Sequence, residues 1–159
     1  MGTITVGIGE WAVSAAEDDV IKTYALGSCV AVVIHDVKRR VAGLIHIALP
    51  DSSIDPTKAR TLPGYFADTG LPLMIEDMKK HGSARPHVRV KLAGGAAVMD
   101  DRGIFDIGKR NVLAAKRILW MSSLGAIAED TGGEISRTVS VHVATGVMTV
   151  TSGGKTWEI

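Results

Sequence analysis

Two residues in the first third of the chain have the chemistry of a nucleophile and its base. Cys29 is the only cysteine among 159 residues, and His46 follows it at a spacing that an antiparallel hairpin can close. A thiol at its free pKa is only slightly ionised at neutral pH. A neighbouring imidazole that takes the proton produces the thiolate that attacks a carbonyl. Ordinary roles fit the same two residues: a small buried hydrophobe at a strand edge and a hydrogen-bonded core histidine.

The elements around them decide between these readings. The run from Cys29 to Ile34 is short, apolar and β-branched, with Gly27-Ser28 before it and the polar string from His35 to Arg40 after it. It reads as a buried strand leading into a turn. A second apolar run, from Val41 to Leu49, ends at Pro50. With the turn centred between Val37 and Lys38, Asp36 faces Arg39 and Cys29 lies directly opposite His46, with Cβ atoms about 4.5 to 5.5 Å apart. The same register pairs Ala31 with Leu44 and Val33 with Ala42 on that face. Any loop of even length keeps Cys29 and His46 on one face, whereas an odd loop or a bulge separates them.

This stretch resembles the signature of CheD, a family of chemoreceptor glutamine deamidases of bacterial and archaeal chemotaxis. The matching residues are Leu26-Gly27-Ser28-Cys29-Val30 and His46-Ile47-Ala48-Leu49-Pro50. The likeness continues in order through Tyr65 to Pro72, Lys91 to Ala96, Ile107 to Val112, Ala128 to Gly133 and Ala144 to Gly146. Two positions depart from the pattern: Ile45 stands where many relatives carry a polar residue, and Ser136 where a glycine is common before Arg137. The resemblance implies an α+β fold, a layered β-sandwich of mostly antiparallel strands flanked by helices, like the catalytic domain of the cytotoxic necrotizing factor toxins. It implies a Cys29 nucleophile, a His46 base and a Thr23 hydroxyl that accepts a hydrogen bond from the imidazole. The implied reaction is hydrolysis of glutamine side chains on the cytoplasmic helical domain of chemoreceptors through a thioester. The implied partner is the phosphatase CheC. The alternative is a regulatory protein that binds CheC without catalysis, and a third reading keeps the site but changes the amide it attacks.

Composition sets the remaining limits. A chain of 159 residues with 46% hydrophobic content can bury a core, and one domain over 1–159 is the expected organisation. A net charge of +1 argues against general affinity for nucleic acid or anionic membrane. No run is long enough to span a bilayer, and the N-terminal residues lack a basic start before an apolar stretch. With one unpaired cysteine, these features point to the cytoplasm. His35, His81, His87 and His142 show no metal-ligand spacing with Cys29, so neither a metal nor a cofactor is expected.

Along the chain, Thr3 to Gly9 reads as a first strand that Trp11 to Val13 extends, and Val20 to Leu26 as the strand that approaches Cys29. The segment from Asp51 to Gly64 reads as a surface loop. A helix is expected from Gly70 to about His81, capped by Thr69 or Asp68 and stopped by Gly82, with Leu71, Met74, Ile75 and Met78 buried. A strand from His87 to Leu92 precedes Gly94-Gly95, read as a turn that permits close backbone approach. A second helix, from Ile107 to about Ser123, is capped by Asp106 and followed by Gly125. Arg110-Asn111 in its first turn either lines the substrate groove or ties the helix to a loop. Asp130 to Gly133 reads as a turn, and Val139 to Val143 with Val147 to Thr151 as a terminal hairpin.

Overall fold

The computed structural model describes residues 2–97 and 106–159, which form two five-stranded sheets and three α-helices. The first sheet runs in the order β1 (Thr3–Thr5), β3 (Val20–Leu26), β8 (Arg137–His142), β9 (Met148–Ser152) and β10 (Lys155–Glu158). The second runs β2 (Trp11–Ser14), β5 (Val41–Ile47), β4 (Val30–Asp36), β6 (Val88–Gly94) and β7 (Ala126–Thr131). Only β1 with β3 and β6 with β7 pair in parallel; the other named strand pairs are antiparallel. Helices α1 (Pro56–Thr61), α2 (Ala67–Lys80) and α3 (Ile107–Met121) complete an α+β layered sandwich.

The central hairpin β4–β5 is buried at every position. On one face, Ala31, Val33, Ala42 and Leu44 meet Ile21, Leu26, Val139, Val141 and Met148 of the first sheet. On the other, Val30, Val32, Ile45 and Ile47 meet Leu71, Met74, Met78, Val112 and Leu119 of the two long helices. Covering both faces explains why these strands read as continuous apolar runs rather than alternating ones. Each such side chain contributes roughly 1.5 to 3 kcal/mol when fully buried, so Leu44→Ala costs about 2 to 5 kcal/mol through lost transfer and a cavity.

Several sequence expectations change. The segment from Thr3 to Val13 is two short strands in different sheets, because the chain bends at Gly9 (φ +81°) and crosses between layers. The expected loop after Pro50 contains α1, with Pro56 in its first turn and an N-cap bond from Lys58 N–H to the Asp55 side chain. Helix α2 begins at Ala67, ahead of the anticipated cap residues, whose side chains are used elsewhere. Thr69 donates to the Pro63 carbonyl (2.6 Å), and the Asp68 carboxylate accepts from the Ser52 amide (2.9 Å) and hydroxyl (2.7 Å). Its buried stripe of Leu71, Met74, Ile75 and Met78 is as expected. Asp106 precedes α3 in a left-handed conformation without capping it by a side-chain bond, and Ser123 (φ +60°) rather than Gly125 turns the chain after it. Asp130 and Thr131 belong to β7 and not to a turn, because β7 lies parallel beside β6. The terminal hairpin is present as β8 and β9, and β10 adds an edge strand to it.

Candidate active site

The hairpin register differs from the symmetric one by two residues. Asp36 pairs with Val41, so His46 faces Ala31 and Val30 faces Ile47, rather than His46 facing Cys29. The reason lies in the turn. His35 and Asp36 continue the strand instead of starting the loop, and the Asp36 carboxylate accepts from the amides of Lys38 (2.9 Å), Arg39 (2.7 Å) and Ala84 (3.1 Å). An aspartate folding back onto the amides two and three residues on stabilises a longer loop, and Arg40 closes it at φ +54°. That loop is still even in length. Cys29, one residue before β4, packs against the same inter-sheet core as Ala31, the residue that His46 faces across the strand pair.

His46 is held from two sides. Its backbone exchanges bonds with the segment before β2: Gly9 N–H to His46 O (2.8 Å) and His46 N–H to Glu10 O (3.1 Å). Its ring reaches across the sandwich to Thr23 on β3, with Nδ1 2.6 Å from Thr23 Oγ1. The Thr23 hydroxyl also donates to the Val6 carbonyl at 2.7 Å. Its single proton is thereby used, so toward the ring it accepts and Nδ1 carries a proton. Nε2 is then a lone-pair acceptor, and it is buried with no hydrogen-bond partner among the described residues.

Electrostatics favour an uncharged pair. Burial pushes the His46 pKa down to about 4. Burial likewise raises the Cys29 thiol above its ordinary value, with the backbone N–H of Cys29 pulling in the opposite direction. In both cases desolvation disfavours the charged form. Near neutral pH the site holds a thiol and a neutral imidazole rather than an ion pair.

The Cys29 segment is where the chain leaves the first sheet for the second, and it is pinned from two sides. Gly95 N–H donates to Cys29 O and Ala96 N–H to Gly27 O, both at 2.8 Å. Gly94 has φ +110°, and a Cβ there would stand 2.2 Å from the Cys29 carbonyl oxygen, so only glycine permits this approach. Immediately before the segment, the β3–β8 register shifts between Thr23 and Leu26 as Ala25 takes φ +56°. Such a bulge re-aims a strand as it reaches a site. From the other side, Asn111 of α3 donates through Nδ2 to Ser28 O (2.9 Å) and Ala48 O (3.0 Å). Between the two readings of Arg110-Asn111, the asparagine ties helix to loop, and Arg110 is exposed. Cys29 and His46 are candidates from the sequence pattern and Thr23 from the resemblance, and the structure joins Thr23 to His46. The double bond from Asn111 and the carbonyl of Val6 left no mark in the sequence beyond an asparagine in the first turn of an apolar helix.

A cavity of about 380 Å³ opens beside Ser28, bordered by Gly95, Ala96, Val112, Thr131 and Gly132. Among the described residues, no three His, Cys, Asp or Glu side chains converge in a way that can hold a metal ion. Among the same residues, no helix is long and apolar enough to cross a membrane.

Comparison with known proteins places the chain in a family. Residues 48–152 match the CheD family, described as chemotactic sensory transduction. The full chain is 47% identical to the probable chemoreceptor glutamine deamidase CheD of Syntrophotalea carbinolica, with 100% of both chains covered. It is 44% identical to a probable chemoreceptor glutamine deamidase CheD of Syntrophus aciditrophicus, over 97% of this chain and 96% of the relative. The chemoreceptor glutamine deamidase CheD of Thermotoga maritima is 40% identical over 97% of this chain and 96% of its own. Identity at this level over whole chains, on top of a matched family region, means that the chain belongs to the CheD family.

Proposed function

We propose that this protein hydrolyses glutamine side chains of chemoreceptors to glutamate, with Cys29 as nucleophile, His46 as general base and then acid, and Thr23 as the residue that orients the imidazole. The observation that carries the reading is the buried, unpartnered Nε2 of His46, beside the face that bears Cys29, in a chain related to named glutamine deamidases. A core histidine with no further role would have both ring nitrogens satisfied or exposed.

The chemistry follows from the neutral resting pair. Nε2 takes the thiol proton as sulfur bonds to the carboxamide carbon, and the carbonyl oxygen becomes an oxyanion. The Cys29 backbone N–H is a donor of the required kind, since it already faces its own sulfur. His46 then returns the proton to nitrogen as the C–N bond breaks, releasing ammonia and leaving a thioester. The same Nε2 next removes a proton from water, which attacks the thioester carbon; the acid leaves and the thiol is restored. Thr23 fixes Nδ1–H throughout and stabilises the imidazolium when it forms. The whole chain acts as one deamidase domain, and its place of action is the cytoplasmic side, where receptor helices are accessible.

Peptide mass spectrometry of a receptor cytoplasmic domain incubated with the protein tests this reading. Each conversion adds about one dalton and releases one ammonia, as exchange of an amide for an acid requires. The gain is expected at defined glutamines and is absent with Cys29→Ala. Conversion that persists in Cys29→Ala removes the cysteine from the mechanism. A Cys29→Ala protein that restores chemotaxis to a deletion strain would instead favour a binding role.

A further inference from the structure

The ladder between β4 and β5 ends at Val30 and Ile47. Just past that end, the carbonyls of Ser28 and Ala48 both accept from the one Asn111 Nδ2. Two carbonyl oxygens cannot bond each other, and a single nitrogen with two protons joins them, so the carboxamide serves as a side-chain rung beyond the last backbone rung. Asn111 is 0% exposed, and its Oδ1 is buried without a partner among the described residues. An orphaned buried acceptor is unfavourable, which makes the donor side of this amide the part that the site uses.

Peptide planarity extends the consequence to the nucleophile. The Ser28 oxygen and the Cys29 N–H belong to one trans peptide unit and point to opposite edges of it. The neighbouring carbonyls of Gly27 and Cys29 are held by Ala96 and Gly95. With three successive carbonyls fixed by distant parts of the chain, the Cys29 N–H has no rotational freedom of its own. A bond donated to the Ser28 carbonyl also polarises that peptide and strengthens its N–H as a donor.

We propose that Asn111 is a positioning residue for the reaction: by gripping the Ser28 carbonyl it aims the Cys29 N–H at the oxyanion, and by gripping Ala48 it keeps the His46 strand from parting there. This rests on the assignment of Cys29 and His46 made above. The consequence is specific to steps that build negative charge on the carbonyl oxygen. Simple alkylation of the thiol develops no such charge.

Two variants of the full chain test it, Asn111→Asp, which keeps shape but loses both donors, and Asn111→Ser, a milder change that retains one. The readouts are kcat and KM for receptor deamidation, and the rate of Cys29 alkylation by iodoacetamide. The expected result is a fall in kcat of about ten- to a hundredfold, short of the roughly hundred- to thousandfold cost of removing an oxyanion donor outright, with KM and alkylation within about threefold of wild type. Unchanged kcat in folded variants overturns the proposal, and so does a parallel loss of turnover and alkylation, which would place the effect on the thiol. Deamidation surviving in Cys29→Ala overturns the underlying site assignment instead. If neither variant folds, NMR of the wild type decides. Addition of an aldehyde analogue of the glutamine side chain is expected to shift the Cys29 amide proton, and an unmoved proton beside a bound aldehyde overturns the proposal.

Discussion

The β4–β5 hairpin carries a buried histidine at each end of the face it turns toward the first sheet. His35 and His46 are 4% and 1% exposed, and each faces an alanine across the strand pair, Ala42 and Ala31 respectively, which leaves room for a ring. Their partners differ in kind. His35 Nε2 lies 2.9 Å from the Val143 carbonyl, a pure acceptor, so that nitrogen is a donor and the ring pins the end of β8. His46 meets a hydroxyl whose proton is already given to Val6, which leaves its far nitrogen as a buried lone pair. Similar burial thus yields a structural tie at one end and an uncommitted lone pair at the other, and what separates them is the hydrogen-bonding capacity of the neighbour.

The sharpest way to break this comparison is to remove each ring in turn. His46→Ala is expected to lower turnover by about a hundred- to ten-thousandfold, the range for a general acid–base group. His35→Ala should leave turnover per folded molecule within about threefold and lower stability by about 1 to 3 kcal/mol through the orphaned Val143 carbonyl. Steady-state deamidation and urea unfolding of the two variants measure both quantities. Equal losses of turnover would erase the distinction.

Thr23→Val tests the neighbour rather than the ring. It keeps the shape and removes both the acceptor for Nδ1–H and the donor to Val6, and kcat is expected to fall by about tenfold or more. Thr23→Ser should restore most of it, since the hydroxyl returns.

The pH dependence comes next. The His46 pKa is depressed from about 6.5 to about 4, so the folded protein holds the neutral ring while the unfolded chain binds a proton. The associated stability is fully present above pH 6.5 and is lost as pH falls from 6.5 to about 4, by an amount on the order of 3 kcal/mol. His35 is shifted the same way, chiefly by burial. Urea midpoints measured across this range should decline in wild type and decline less steeply in His46→Ala. The acid limb of kcat/KM should lie nearer pH 4 than 6.5 in wild type.

The smallest effect on activity is expected at the other histidine's wall. Gly146 has φ +72°, and a Cβ there would stand 2.4 Å from His35 Nδ1. Gly146→Ala should cost about 1 to 3 kcal/mol through strain and overpacking and leave kcat unchanged, as thermal unfolding and turnover of the same preparation can show.

Local pattern carried the reading of the hairpin far but not to its register. The apolar runs from Cys29 and from Val41 mark two strands, and an even loop keeps Cys29 and His46 together whatever its length. The two-residue slide came from Asp36, a buried carboxylate that read as part of a polar turn because one of its amide partners, Ala84, lies outside any local window. Helix α1 escaped for a related reason. Its six residues bury nothing, so they carry no periodic signal, and its cap at Asp55 sits among other turn residues.

By itself the sequence determined which residues share a face, because the strand period of two and the helical period of 3.6 are properties of the local backbone. It thereby specified the side of the hairpin that bears Cys29 and His46, and the stripe by which α2 covers the other side. Tertiary structure decided what those residues meet. Thr23 reaches His46 because two sheets stack, Asn111 reaches Ser28 and Ala48 because α3 packs on the exit of β6, and the lone pair on Nε2 follows from a proton committed to Val6. Each of these bonds joins segments distant along the chain, and such contacts depend on how layers close together rather than on any spacing within one element.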